Sequence, residues 1–182
     1  MARVLVPLAD GCEEIEAVTI IDLLRRAQIE VVVAGLRPGI VKASRGVQLV
    51  PDTTLDGVLN EDFDMVVLPG GMPGAAHLKA DERVLALLKK TAAAGGYTAA
   101  ICAAPMVLAE AGLLDGKQAT SYPGFLDALP GIQLSIATVV QDGTVLTSRG
   151  PGTAMDFALT LIETLVGADQ RAQVEKALLR PR

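Results

Sequence analysis

Ala99-Ala100-Ile101-Cys102-Ala103-Ala104-Pro105 is the stretch on which both the fold and the chemistry turn. Tyr97–Ile101 is a short apolar run that predicts a strand. Pro105 to Ala111 predicts a helix, whose first turn suits the fixed φ of proline. Cys102 therefore stands at a strand-to-helix bend. The residues two before and two after it, Ala100 and Ala104, are both small. That is the small-x-nucleophile-x-small arrangement of a nucleophile elbow, because a sharp, strained turn leaves no room for large flanking side chains. At a helix start the macrodipole favours the thiolate, where a free thiol of pKa about 8.5 is only a few per cent ionised at neutral pH. A cysteine buried as a small hydrophobe is the competing reading; the strand-end placement is what argues for reactivity.

Outward from this bend, other short β-branched runs recur at Val4–Leu8, Glu30–Ala34 and Met65–Leu68. They are apolar without clean alternation, as parallel strands covered on both faces are. Helical patterns lie between, at Glu13 to Gln28 and Asp81 to Ala94, and two more close the chain, from Gly152 to Val166 and from Asp169 to Leu179. The alternation predicts an α/β fold, one domain over residues 1–182. Val41 to Val50 reads as a small β-ribbon turning at Arg45-Gly46, and Leu134–Val140 with Thr144–Thr147 as a hairpin joined by Gln141-Asp142-Gly143.

Composition bounds the partners. The chain is 51% hydrophobic yet 3% aromatic, so its apolar mass is Ala, Val, Leu and Ile, enough to bury a core in 182 residues. A net charge of −5 disfavours a nucleic-acid backbone. No apolar run nears the ~20 residues of a membrane helix. Two Cys and one His leave too few ligands for a Cys/His metal site or a disulfide framework, so no metal is expected. Two thiols suit a reducing compartment, and Met1-Ala2-Arg3-Val4-Leu5 runs into a strand without a secretory pattern, so the expected location is cytoplasmic.

The first helix is apolar around most of its circumference, through Ile15, Ala17, Val18, Ile20, Ile21, Leu23 and Leu24. Glu16, Thr19, Asp22 and Arg26 are expected as one thin polar stripe. Such a helix needs cover on most sides, and a second copy of the chain in a symmetric homodimer is the simplest cover.

Cys102 needs a partner. The only histidine, His77, lies in a helix-like stretch after Gly70-Gly71-Met72-Pro73-Gly74, where a surface role is the plainer reading. Glu16 follows the first strand, at the carboxyl edge where open α/β sheets place their sites. Among apolar neighbours it would be desolvated and held protonated, able to donate to the sulfur or to an oxygen on it; a solvated first-turn carboxylate is the alternative. Gly71, after the Met65–Leu68 strand, and Ala103 supply backbone N–H groups suited to an oxyanion hole, although a plain turn explains the Gly-Gly pair as well. Arg149 precedes a helix start, placed to bind an anion or to cap local carbonyls.

Taken together, Gly11-Cys12-Glu13-Glu14-Ile15-Glu16, Arg25-Arg26, Ser44-Arg45-Gly46-Val47, Val67-Leu68-Pro69-Gly70-Gly71, the Cys102 elbow and Thr147-Ser148-Arg149-Gly150-Pro151-Gly152-Thr153 resemble the ThiJ/PfpI superfamily, in its Parkinson-disease protein deglycase (DJ-one) and YajL branch. The resemblance spans nearly the whole chain. It implies a flavodoxin-like three-layer sandwich with a mostly parallel sheet, a homodimer, an oxidisable Cys102 beside a protonated Glu16, and oxyanion donors from Gly71 and Ala103. It places Arg45 and Arg26 near the site or the interface, and Arg149 in the pocket. The implied activities are cofactor-free: methylglyoxal conversion to lactate, repair of glycated proteins, oxidative-stress sensing through a sulfinate, and holdase chaperoning. Two departures matter. Peptidase-like relatives carry His directly after the Cys, where this chain has Ala103, which argues against a peptidase. The branch often has His where this chain has Tyr122, so imidazole proton transfer is lost there and turnover is expected to be slow, with Tyr122 left as a hydrogen-bond donor. Cys12 admits a resolving role or none. Three functions follow: an enzyme acting on α-oxoaldehydes through Cys102, a redox sensor or chaperone with little turnover, or a binding protein with a structural thiol.

Overall fold

The structure is a computed structural model and describes residues 1–180. The chain begins with β1 (Arg3–Leu8), α1 (Glu14–Arg26) and β2 (Glu30–Gly35), then the ribbon strands β3 (Val41–Lys42) and β4 (Gln48–Leu49) and the edge strand β5 (Thr53–Thr54). It continues through β6 (Met65–Leu68), α2 (Gly74–Ala80), α3 (Glu82–Ala93), β7 (Tyr97–Ile101) and α4 (Pro105–Glu110). The last part holds β8 (Gln118–Ala119), β9 (Gln133–Leu134), β10 (Val139–Asp142), β11 (Val145–Ser148), α5 (Ala154–Val166) and α6 (Ala168–Ala177).

Seven strands form the central sheet in the order β10-β11-β7-β6-β1-β2-β5. All neighbours are parallel except β10, which pairs antiparallel with β11. The central strands are buried along nearly their whole length. Helices α1 and α5 pack together on one face, with α6 behind α5, and α2, α3 and α4 pack together on the other. This is the α/β/α sandwich with a mostly parallel sheet. The ribbon is present as the antiparallel pair β3 and β4, turning through Ser44–Val47 with Gly46 at φ +94°.

From β1 the chain goes first to β2 on one side and later to β6 on the other. The strand order thus reverses between β1 and β6, and it is outside the carboxyl ends of strands at such a point that open α/β sheets form their crevices. Glu16 follows β1, Gly70 and Gly71 follow β6, and Cys102 follows the adjacent β7.

Several expectations need correction. Glu16 is not on an exposed polar stripe of α1. It lies fully buried on the inner face with Ala17, Ile20, Leu23 and Leu24, while Ile15 and Val18 are exposed beside Asp22, Arg25 and Arg26. The helix is therefore two-faced, and its outer face mixes apolar with charged groups. The hairpin is shorter than its apolar pattern: Leu134 belongs to β9, which pairs with Ala119 of β8, and the hairpin strand begins at Val139. Pro151–Thr153 forms a 3-10 turn ahead of α5, because the Thr153 hydroxyl accepts the N–H groups of Arg149 and Gly150 and tightens the chain there.

Candidate active site

Cys102 sits at φ +64°, a left-handed conformation that costs a residue with a Cβ steric strain. The bend is held from both sides: the Cys102 N–H donates to the Ser148 carbonyl at 3.0 Å, and the Cys102 carbonyl accepts the Tyr122 N–H at 2.8 Å. Pro105 then opens α4. Ala100, Ala103 and Ala104 are buried around the bend, as the steric reading of the elbow requires. The residue is buried, with 9% of its surface exposed.

Glu16 meets this bend across Gly70. Its Oε2 accepts the Gly70 N–H at 2.7 Å, and its carboxyl faces the Cys102 side chain. A Cβ on Gly70 would lie 2.7 Å from the Cys102 Cβ and 2.8 Å from Glu16 Oε2, so only a glycine lets the two groups approach. The other oxygen, Oε1, is buried with no hydrogen-bond partner among the described residues. Burial pushes the Glu16 carboxyl up to about 7, while the Gly70 N–H and the thiol pull the other way. A substantial fraction is therefore protonated at neutral pH.

The thiol does not follow the expected lowering. Burial first, and the adjacent Glu16 charge second, push Cys102 up to about 12; the N–H groups of Gly71 and Ala103, both directed at the sulfur, work against this. With α4 only six residues long, little dipole is available to offset burial. Between the Glu16 and Cys102 values the pair carries one negative charge, and it resides on Glu16.

Gly71 is held by the loop after β1. It adopts φ +85°, and a Cβ there would lie 2.3 Å from the Glu13 nitrogen. The Glu13 N–H donates to the Gly70 carbonyl at 2.9 Å, locking the two loops together. Cys12 in that loop is fully buried, and its carbonyl accepts the Ser44 N–H.

The structure brings Cys102, Glu16, Gly71 and Ala103 together, with Tyr122 and Arg149 flanking. Tyr122 is half exposed, lies edge-on to Phe125 with 6.3 Å between ring centroids, and directs no hydroxyl hydrogen bond to Cys102. Arg26 is not brought to the site within one chain: it lies ten residues, ~15 Å, along α1 from Glu16 and pairs with Asp22. Arg45 is exposed on the ribbon turn, its backbone N–H donated to Glu14 Oε1. His77 is exposed on α2 and makes a 3.0 Å contact to the Asp10 carbonyl, away from the thiol. A carbonyl can only accept, so Nδ1 carries the proton.

One cluster escaped the sequence reading. The Ser44 hydroxyl lies 2.9 Å from both Glu13 Oε2 and Glu14 Oε2. Burial raises the Glu14 carboxyl, but hydrogen bonds from its own backbone, Ser44, Arg45 and Val47 outweigh it and hold the group below its ordinary value. The signal was the consecutive Glu13-Glu14 pair ahead of an apolar helix, which no surface role requires.

Comparison with known proteins identifies the family. A family-wide sequence profile, described as the DJ-1/PfpI family, matches residues 2–164. Protein dj-1beta of Drosophila melanogaster is 48% identical over 178 residues, 96% of this chain and 95% of its own length. The structure of oxidized Toxoplasma gondii DJ-1 superposes with a TM-score of 0.96 at 43% identity, covering 100% of both chains. A Caenorhabditis elegans relative named glutathione-independent glyoxalase DJR-1.2 is 37% identical over 179 residues, 97% of this chain and 95% of its own length.

Proposed function

This chain belongs to the DJ-1/PfpI family, and from that premise we propose that it is a cofactor-free, cysteine-dependent protein that converts methylglyoxal-type α-oxoaldehydes, or their adducts on other molecules, through Cys102. The observation that carries this reading is the contact of Glu16 and Cys102 across Gly70. A thiol beside a carboxylate able to take its proton supplies a nucleophile and a proton carrier without imidazole.

The Glu16 carboxylate takes the Cys102 thiol proton as the sulfur adds to the aldehyde carbon, and the carbonyl π pair moves to oxygen. That oxygen forms next to the N–H groups of Gly71 and Ala103 and takes a proton from Glu16. The hemithioacetal then loses its carbon-bound proton to the Glu16 carboxylate. The hemithioacetal hydroxyl proton passes to the neighbouring oxygen while Glu16 returns its proton to the neighbouring carbon, which turns the ketone into a hydroxyl and leaves a thioester on the sulfur. Water cleaves the thioester, giving a 2-hydroxy acid and the free thiol. One carbon is oxidised and its neighbour reduced, so no external redox partner enters. Lactate formation from methylglyoxal, measured for wild type and Cys102→Ala, tests this: activity is expected only in the wild type, and equal rates overturn it.

A second reading, a redox sensor or chaperone with little turnover, is favoured by the unpartnered Glu16 Oε1. A sulfinate on Cys102 would accept a hydrogen bond from the protonated carboxyl. Mild peroxide is then expected to add two oxygen atoms to wild type and to shift its melting temperature, with the sulfinate less persistent in Glu16→Leu.

The homodimer belongs to the same proposal. Ile15 and Val18 on α1 and Val47 and Val50 by the ribbon are exposed, and Val18, Leu49 and Val50 border one shared cleft. A second copy covering this face would also bring Arg45 and Arg26 of neighbouring subunits toward the interface. Sedimentation at twice 18.9 kDa is the expected outcome.

A further inference from the structure

A cleft of about 370 Å³ opens beside the elbow, walled by Tyr122, Pro123, Arg149 and the Gly150–Thr153 turn. It is fixed relative to the nucleophile at two points, since Tyr122 donates its N–H to the Cys102 carbonyl and Ser148, the neighbour of Arg149, accepts the Cys102 N–H. Its walls are largely carbon. The Tyr122 ring lies on Gly150, where even a Cβ would come within 3.4 Å of Tyr122 Cδ2.

One charge stands in this cleft. Arg149 donates through Nη1 to the Ile136 carbonyl at 3.2 Å, which uses one of five guanidinium N–H groups. It has no carboxylate partner among the described residues, whereas every other described arginine except Arg45 has one. A guanidinium on an apolar wall, without a counter-charge, presents a planar fork suited to bidentate contact with a carboxylate.

We infer that this cleft is the subsite for the part of the substrate remote from the reacting carbonyl, and that it selects a flat apolar body ending in a carboxylate, held by Arg149 and stacked against Tyr122. The assignment rests on the proposed chemistry at Cys102 and narrows it: the preferred α-oxoaldehyde or adduct is acid-bearing, and methylglyoxal fills only the reacting end.

The test separates the two ideas because it needs no reaction. Benzoate and benzamide, alike in size and inert to thiols, are titrated into the full-length protein while backbone amide resonances are followed. Benzoate is expected to bind about tenfold more tightly than benzamide, with shifts centred on Tyr122 and Gly150. In Arg149→Gln the preference is expected to fall to within twofold, and in Arg149→Lys to survive in part, since the charge is kept and the fork lost. Equal affinity for acid and amide in the wild type overturns the inference without use of a variant. So does an acid preference that persists in Arg149→Gln, or displacement of benzoate by an equal concentration of inorganic phosphate. A protein that binds benzoate as expected but forms no lactate retains the subsite and loses the proposed reaction.

Discussion

The chain carries two free thiols, each in a loop that follows a parallel strand of the same sheet, and burial pushes each up to about 12. They nevertheless occupy different chemistry. Cys12 is fully buried, and after burial the charges of Glu14, Glu13 and Asp10 hold its thiol protonated. Cys102 is 9% exposed, sits on a left-handed bend, and has two N–H groups and a carboxyl of raised pKa aimed at its sulfur. A raised pKa therefore does not separate an inert thiol from a reactive one here. Access, strain and a neighbour able to take or give a proton do.

The largest expected effect follows from access. Iodoacetamide at mildly alkaline pH is expected to modify Cys102 at least about a hundredfold faster than Cys12, because Cys12 reacts only when the loop around it opens. Peptide mass mapping over time gives both rates from one sample, and similar rates break the comparison.

Next comes the carboxyl. Glu16 has its folded pKa raised from 4.5 to about 7. Its stabilising contribution relative to the ionised form is complete below the unfolded pKa and is lost as pH rises through the folded value. The native state binds more protons in that window, so stability falls with pH. Glu16→Gln keeps the shape without a titratable proton. The unfolding free energy of wild type is expected to drop by about 3 kcal/mol relative to Glu16→Gln between pH 4.5 and 8, following the size of the shift. Denaturant unfolding at several pH values measures it, and parallel curves for the two proteins contradict the desolvation of Glu16.

The smallest effect belongs to Cys12. Cys12→Ala removes one buried sulfur and is expected to cost about 1 kcal/mol in the packed loop while changing the Cys102 alkylation rate less than twofold. A larger change in that rate assigns Cys12 a part in the site.

The sequence shows the elbow plainly, since Ala100, Ala104 and Pro105 are local signals of a local bend. It also shows the buried strands and the ribbon turn. The strand-end position points to a desolvated Glu16, but the periodicity of α1 groups it with a polar stripe, because helical periodicity alone cannot tell a polar residue facing solvent from one facing a crevice. That distinction depends on Gly70, 54 positions away. The Ser44 bridge to Glu13 and Glu14 is hidden for the same reason, as it joins α1 to the ribbon across about thirty residues. The bend predicts a lowered thiol pKa where burial raises it: the bend is local in sequence, and the depth at which the sheet buries the sulfur is not.

Gly70 carries a kinetic consequence. The contact it mediates exists only when the ends of β1, β6 and β7 lie side by side; β6 and β7 are joined through α2 and α3, but β1 precedes β6 by more than fifty residues. Closing those loops costs entropy before any pairing rewards it, so this contact belongs to the late part of assembly. A chain still on the way to its native state carries Cys102 as an ordinary cysteine, without the carboxyl or the two N–H groups around it. The chemical behaviour of that one sulfur is thus a reporter of whether the sheet has closed, readable in a refolding experiment by the order in which the two thiols part company.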